Sequence, residues 1–379
     1  MMYRLSELNE VWSALRIFQY ITFRAMMAAG TAFILSLAIG PRLIEKLRAI
    51  HFGEQREDER VAGLDRKAKI GTPTMGGLMI LIATAAATLL WAVPNFYVLC
   101  ALATFLFLGA LGFIDDYLKI KNSAGLAPRS KLLAQALWTG IFITALLLNP
   151  ETAVRTKQLM VPFVKFPVIT SMGIAGTFIF IFLVLVGSSN AVNLTDGLDG
   201  LAIGCSNSVM VAYLVMAYVA GHFSFAEYLQ VPFVKSGGEL AVFCGALLGA
   251  GLGFLWFNCH PAQVFMGDTG SLAIGGGIAA VAILIKQELV LIIVGGVFVM
   301  EAASVLIQQS WFKFTRKKYG AGRRVFRCAP IHHHFEYIAK ERAEKLGRST
   351  AAAENMITVR LWIVSIIFAM IGLATLKIR

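Results

Sequence analysis

Residues 97–119 read Tyr97-Val-Leu-Cys-Ala-Leu-Ala-Thr-Phe-Leu-Phe-Leu-Gly-Ala-Leu-Gly112-Phe-Ile-Asp115-Asp116-Tyr-Leu-Lys119. An uncharged apolar run ends abruptly in two adjacent carboxylates. A membrane-crossing helix needs roughly 20 mainly apolar residues, so 97–114 is expected to span a bilayer and deliver Asp115 and Asp116 to one of its faces. Adjacent residues on a helix point about 100° apart, from 3.6 residues per turn, so the two carboxylates are expected to do different work. Two carboxylates beside apolar helix suit Mg²⁺ or phosphate chemistry, since Mg²⁺ takes hard oxygen ligands. Two solvated charges at a helix end are the plain alternative.

The pattern recurs along the chain. The 379 residues are 58% hydrophobic and only 15% charged, with a mean hydropathy of +0.72. Soluble domains run nearer 45–50% apolar and about 25% charged. An ordinary soluble enzyme, a disordered chain and a disulfide scaffold are excluded. The expected fold is an all-α polytopic integral membrane protein of one transmembrane domain. Ten transmembrane helices are expected, at about 19–39, 74–93, 97–114, 131–149, 172–189, 200–220, 240–257, 270–286, 288–312 and 357–376. No small-residue cleavage site follows the first, which reads as a retained span and not a signal peptide. The alternating strands of a membrane barrel are absent. Cys100, Cys205, Cys244, Cys259 and Cys328 form no CxxC pair and read as small apolar residues with free thiols.

Net charge is +12, and its distribution orients the bundle. With ten spans, the segments after odd-numbered spans share one side. Residues 40–73, 115–131 and 313–356, with Arg360, hold 24 of the 34 Lys and Arg residues. The positive-inside rule makes that side cytoplasmic and puts both termini in the periplasm. The basic run Lys313–Arg327 suits anionic headgroups. No recognisable nucleic-acid-binding module accompanies it, so no nucleic-acid partner is expected.

Polar clusters beside spans are functional candidates by default. Besides Asp115-Asp116, four stand out. Lys69-Ile-Gly-Thr-Pro-Thr74-Met-Gly-Gly77 reads as a turn before the second span, with Thr72 or Thr74 a possible helix cap. Asn190-Ala-Val-Asn193-Leu-Thr-Asp196-Gly-Leu-Asp199-Gly200 follows the fifth span, and the spacing allows Asp196 and Asp199 to share a helical face. Asn258-Cys-His-Pro-Ala-Gln-Val-Phe265-Met-Gly-Asp268-Thr-Gly-Ser271 follows the seventh, with Asp268 opening the eighth helix as an N-cap or a ligand. Pro330-Ile-His332-His333-His334-Phe-Glu336 lies in the long loop after the ninth. Its imidazoles suit phosphate oxygens, and no set of further ligands is spaced for zinc. All five clusters fall on the positive side. The active site is therefore expected from loops at about 40–73, 115–131, 190–199, 258–271 and 313–356.

With GTPTMGG, FIDDYLK, NAVNLTDGLDGL, FMGDTGSL and PIHHHFE in one order, essentially the whole chain resembles the phospho-N-acetylmuramoyl-pentapeptide-transferase family. The wider superfamily transfers N-acetylhexosamine-1-phosphate to polyprenyl phosphate. The resemblance implies transfer of phospho-MurNAc-pentapeptide from UDP-MurNAc-pentapeptide to undecaprenyl phosphate, giving lipid I and UMP, the first membrane step of peptidoglycan synthesis. It implies Mg²⁺, a homodimer, and a multi-pass position in the bacterial cytoplasmic (inner) membrane with the site facing the cytoplasm. Asp268 is then the foremost Mg²⁺ ligand, with Asp115 and Asp116 the essential carboxylate pair and Asp115 the base candidate. His332 joins them as a catalytic residue. Lys69, Thr74, Asn193, Asp196, Asp199, Phe265 and Gln308 carry over as the nucleotide and sugar-phosphate site, with Phe265 stacking on uracil. Lys119 and Lys131 hold phosphates, Asn258 counts with the substrate-binding residues, and His333 and His334 line the pyrophosphate and sugar end.

Direct attack and a two-step route through a phosphorylated aspartate both fit these residues. A sister transferase using UDP-GlcNAc shares the chemistry. A cation-coupled transporter would rest on Glu301 in the ninth span, but transporters place ionisable groups near the bilayer midplane and the five clusters would go unused. A purely structural scaffold explains still less. Gly295-Gly296 within the long ninth segment predicts a kinked or tilted helix, with room for a prenyl tail beside Asp115.

Overall fold

The computed structural model describes residues 1–10, 12–50, 71–122, 124–347 and 352–378. Two short 3-10 helices, Met2–Leu8 and Ser13–Gln19, open the chain, and most of the described residues beyond them are helical. The helices are α1 Ile21–Ile50, α2 Gly77–Trp91, α3 Phe96–Asn122, α4 Pro128–Leu148, α5 Ala153–Thr156, α6 Gly173–Thr195 and α7 Leu201–Gly221. They continue as α8 Phe223–Leu229, α9 Leu240–Asn258, α10 Gly267–Leu284, α11 Val290–Val294, α12 Gly296–Tyr319, α13 Ile331–Lys345 and α14 Ala352–Ala374. The only strand-like pairing among the described residues is one antiparallel bridge between Leu159 and Ile169.

Eight of these helices are long and apolar enough to cross a membrane: α1, α3, α4, α6, α7, α10, α14 and the segment Gly237–Asn258 containing α9. The second expected span is the shorter apolar helix α2, of 15 residues. The ninth is broken as its Gly-Gly pair predicted. Helix α11 stops at Val294, Gly295 leaves helical geometry at φ −89° and ψ 23°, and α12 restarts at Gly296.

Burial sorts the helices into layers. Nearly every residue of α10 is buried, and most of α7 and α9. These three are rich in glycine and alanine, which let backbones approach where no water drives association. Gly245, Gly249 and Gly253 of α9 make the seam against α1, where an added Cβ would lie 2.5 Å from the carbonyl oxygen of Ala25 and 2.0 Å from that of Ala29. Outer helices instead expose Leu133, Leu137 and Ile141 of α4, Ile179 and Leu183 of α6, and Ile363 and Ile367 of α14. Apolar side chains facing outward are what a lipid solvent selects.

Two boundaries differ from the sequence expectation. Helix α3 runs past the expected span end at 114, through Asp115 and Asp116 to Asn122. The segment carrying the three histidines is not a loop but helix α13. Its polar, weakly periodic sequence hides it from a hydropathy reading.

Candidate active site

Helices α3 and α10 meet at Gly112. A Cβ there would lie 2.1 Å from the carbonyl oxygen of Asp268 and 2.4 Å from its carbon, so only glycine permits the approach. The first amides of a helix have no partner within it. At α10 they find Asp116. Its Oδ1 accepts from the Asp268 amide at 3.1 Å, and its Oδ2 from the Thr269 amide at 2.9 Å and the Thr269 hydroxyl at 2.7 Å. A buried carboxylate from α3 thus caps α10, where negative charge also meets the positive end of the helix dipole. Asp268 itself lies in the first turn and makes no side-chain cap, and the N-cap position is Met266. At α2 the N-cap is Gly76, again without a side-chain cap, so neither Thr72 nor Thr74 caps that helix.

Asp115 and Asp268 face each other through two ammonium groups. Lys119 Nζ lies 2.6 Å from Asp115 Oδ2 and 3.0 Å from Asp268 Oδ2. Lys131 Nζ, from the start of α4, lies 2.8 Å and 2.5 Å from the same oxygens. Asp115 Oδ1 accepts from the Leu126 amide at 2.7 Å. Asp268 Oδ1 accepts from Asn193 Nδ2 at 2.8 Å, and that amide also reaches Ser271 Oγ at 2.9 Å. Asp115, Asp116 and Asp268 each offer an oxygen, all within 4.8 Å of one another, and so can hold a metal ion. The two ammoniums stand in for a cation here, and an all-oxygen donor set suits a hard divalent ion. Asp115 and Asp268 each turn one oxygen to the ammoniums, whereas the Asp116 oxygens serve the α10 amides.

Asp196 and Asp199 do not share a helical face. Helix α6 ends at Thr195 and α7 starts at Leu201, with a turn between. The Asp196 carboxyl accepts a bond from the Gly267 amide. Its burial, with the charges of Asp268 and Asp116, nonetheless pushes it up to about 7. Asp199 turns the other way. Its Oδ2 lies 3.0 Å from His260 Nδ1 and accepts from the Ala262 amide at 3.2 Å, while its own amide donates to Glu354 of α14 at 3.2 Å. Asn258, 3% exposed, is occupied by backbone on both sides: it accepts from the Gly200 amide and donates to the Val264 carbonyl. The turn before α2 pairs with the Phe265 motif. The Phe265 amide donates to Pro73 O, and the Gly76 and Gly77 amides donate to Phe265 O and Met266 O. Thr74 Oγ1 lies beside Gly267.

The three histidines have three settings. His332 is fully buried, with Nδ1 3.0 Å from Glu301 Oε2 of α12. His333 Nδ1 lies 2.9 Å from Glu336 Oε2. Burial opposes the Glu336 charge, but the His333 and Lys340 bonds outweigh it and hold that carboxyl at about 2. His334 Nδ1 accepts from the Arg327 amide at 3.3 Å, and its ring meets Phe326 edge-on. Gln308 Oε1 accepts from the Val325 and Phe326 amides, and its side chain walls a cavity of about 230 Å³ with Arg324, Arg327 and Cys328. Lys69 lies outside the described residues.

The structure therefore joins Asp115, Asp116, Lys119, Lys131, Asn193 and Asp268 in one cluster, with Asp196 and Thr74 at its edge. His332 and His333 adjoin the same 196–200 turn through Gly197. Among the described residues Gln308 bonds to the 325–326 backbone and not to that cluster. Sequence reasoning missed Thr269, His260, Glu354 and the Leu126 amide. His260 and Thr269 sit inside a quoted motif, while Glu354 and Leu126 carry no local signal. Glu301, singled out as a transporter group, is instead the partner of His332.

A model described as "Glycosyl transferase family 4" matches residues 98–286. Curated proteins named phospho-N-acetylmuramoyl-pentapeptide-transferase are similar over their full lengths. The one from Solidesulfovibrio magneticus is 47% identical, covering 100% of this chain and 99% of the relative. That from Opitutus terrae is 44% identical, covering 100% of both. That from Maridesulfovibrio salexigens is 46% identical, covering 97% of this chain and 96% of the relative.

Proposed function

The chain belongs to the phospho-N-acetylmuramoyl-pentapeptide-transferase family, and from that premise we propose that it moves phospho-MurNAc-pentapeptide from UDP-MurNAc-pentapeptide to undecaprenyl phosphate, giving lipid I and UMP. The observation that carries this reading is the Asp115–Lys119–Lys131–Asp268 cluster, where a chain of apolar helices gathers paired cations and carboxylates at one set of helix ends.

Phosphoryl transfer depends mainly on positioning and on neutralising charge. The difficulty here is bringing an anionic lipid phosphate against an anionic diphosphate. Lys119 and Lys131 supply positive charge between the two. Asp268 and Asp115, with Asp116 at the margin, would hold Mg²⁺, which when bound neutralises the diphosphate and stabilises the leaving UMP. Asp116 fixes the start of α10 and hence Asp268. Asn193 orients the Asp268 carboxylate from its other oxygen.

An oxygen of the lipid phosphate attacks the sugar-bearing phosphorus, and the bond from that phosphorus to the bridging oxygen breaks as UMP departs. A phosphate monoester loses its second proton at about pH 6, so the acceptor needs little help to ionise. Asp115 is clamped by two ammoniums and an amide, which makes it a poor nucleophile and a poor base. That favours direct attack over a phospho-aspartate. Phe265, Thr74, Asp196, Asp199 and Lys69 are assigned to the nucleotide and sugar end. His333 and His334 go to the pyrophosphate and sugar end, and Gln308 stays with the nucleotide and sugar-phosphate site. Asn258 and Asp199 also brace the turns that carry these groups.

With α2 and the broken α11–α12 pair counted as crossings, the bundle has ten spans and one domain, with both termini periplasmic and the site facing the cytoplasm. A homodimer in the bacterial inner membrane is the expected assembly. Assaying UDP-MurNAc-pentapeptide and UDP-GlcNAc side by side with undecaprenyl phosphate tests the reading. Lipid-linked product from the first donor alone is expected. Preference for UDP-GlcNAc would assign the chain to the sister chemistry.

A further inference from the structure

Glu301 sits in α12 with no exposed surface, and among the described residues its ion-pair partner is His332, with no lysine or arginine beside it. A lone buried carboxylate is costly. Its Oε2 meets His332 Nδ1 at 3.0 Å and the His332 amide at 3.4 Å. The imidazole is thus gripped through one nitrogen, and its other nitrogen is free to be aimed.

That other nitrogen points at the substrate turn. His332 Nε2 lies 2.3 Å from where a Cβ on Gly197 would stand. It is buried and has no hydrogen-bond partner among the described residues. Buried polar atoms are nearly always satisfied, and an exception calls for a reason. A phenyl ring would fill the same space without an orphaned nitrogen, so packing is not that reason. The neighbouring imidazole repeats the design, with Nδ1 of His333 held by Glu336 and its Nε2 3.3 Å from the same Cβ position. Both rings therefore pack on the backbone of Gly197, within the turn that carries Asp196 and Asp199.

We propose that Glu301 is a positioning residue for the transfer reaction. It keeps a proton on His332 Nδ1, so that Nε2 is the nitrogen that meets the phosphosugar of the donor when the Gly197 turn yields to it. A carboxylate behind a histidine fixes the tautomer and the ring orientation, and where the histidine ligates a metal, losing such a partner typically costs about 10- to 100-fold. The role of His332 rests on the transferase reading, while the state of its ring does not.

The test is a double-mutant cycle on the full-length protein in nanodiscs, with UDP-MurNAc-pentapeptide and undecaprenyl phosphate, joined to a nitrogen-15 spectrum of histidine-labelled protein. Glu301→Gln should lower kcat by about 10- to 100-fold with little change in donor KM. In a His332→Gln background the same change should cost nothing more. An equal loss in both backgrounds overturns the proposal, because the carboxylate would then act on something other than the imidazole. The spectrum needs no Glu301 variant. The His332 signal, assigned by its absence in His332→Gln, should show a proton on Nδ1, and a ring protonated on Nε2 alone overturns the proposal. If the unmodified protein makes no lipid product, the transferase reading fails and the spectrum still judges the pair.

Discussion

Asp196 illustrates what a single side chain does at this site. Its carboxyl faces the same charges that serve the reaction, and burial together with Asp268 and Asp116 raises it from 3.8 to about 7. The folded chain therefore binds this proton more tightly than the unfolded chain. The stability it contributes is complete below about pH 4 and is lost as pH rises through about 7. Thermal unfolding of the detergent-solubilised protein should give a lower midpoint at pH 8 than at pH 5, and Asp196→Asn should shrink that difference. An unchanged difference in the variant would place the strain elsewhere. Asp116 makes a second point at this scale. Its identity as an acid is plain in the sequence, but its work is to cap a helix that starts 151 positions later, at Gly267. Neighbouring carboxylates that look alike in a motif divide into a positioning group and a charge-bearing group only once the fold chooses their partners.

Among the elements, the contact of α3 with α10 sets the site. Gly112→Ala would drive a methyl group into the Asp268 backbone, and overpacking of this kind costs about 1–3 kcal/mol. The variant should unfold at a lower temperature and lose most activity, whereas an alanine at Gly30, which has nothing within 4 Å, should change neither. Equal behaviour of the two variants would contradict a tight α3–α10 contact. Most spans were legible from hydropathy, because lipid imposes a long uninterrupted apolar pattern on each helix. The break at Gly295 was legible too. Helix α13 was not, since a polar helix packed on its neighbours leaves neither a hydropathy peak nor a cap signal. The capping threonine that the sequence allows at α2 is absent, and Asp268 does not cap α10, for a related reason. A cap was sought in the local sequence, and the fold supplies it from another helix or from backbone alone.

Across the whole molecule, the positive surplus and the apolar bulk belong to one design. Helices α7, α9 and α10 form a rigid buried centre, and their cluster-bearing ends meet those of α3, α4 and α6. The residue types of the site were readable from five motifs, while their pairing was not, because contacts such as Asn193–Asp268 and Glu301–His332 join positions far apart in the chain. The central claim is that this assembly transfers a phosphosugar through the Asp268 cluster. The most direct measurement is turnover of UDP-MurNAc-pentapeptide and undecaprenyl phosphate by the purified full-length protein in vesicles with Mg²⁺, run beside Asp268→Asn. Equimolar UMP and lipid-linked product are expected from the unmodified chain. The variant should fall by about 10²-fold or more, as for loss of a transition-state charge contact, with its thermal midpoint retained. Undiminished turnover in Asp268→Asn would contradict the account.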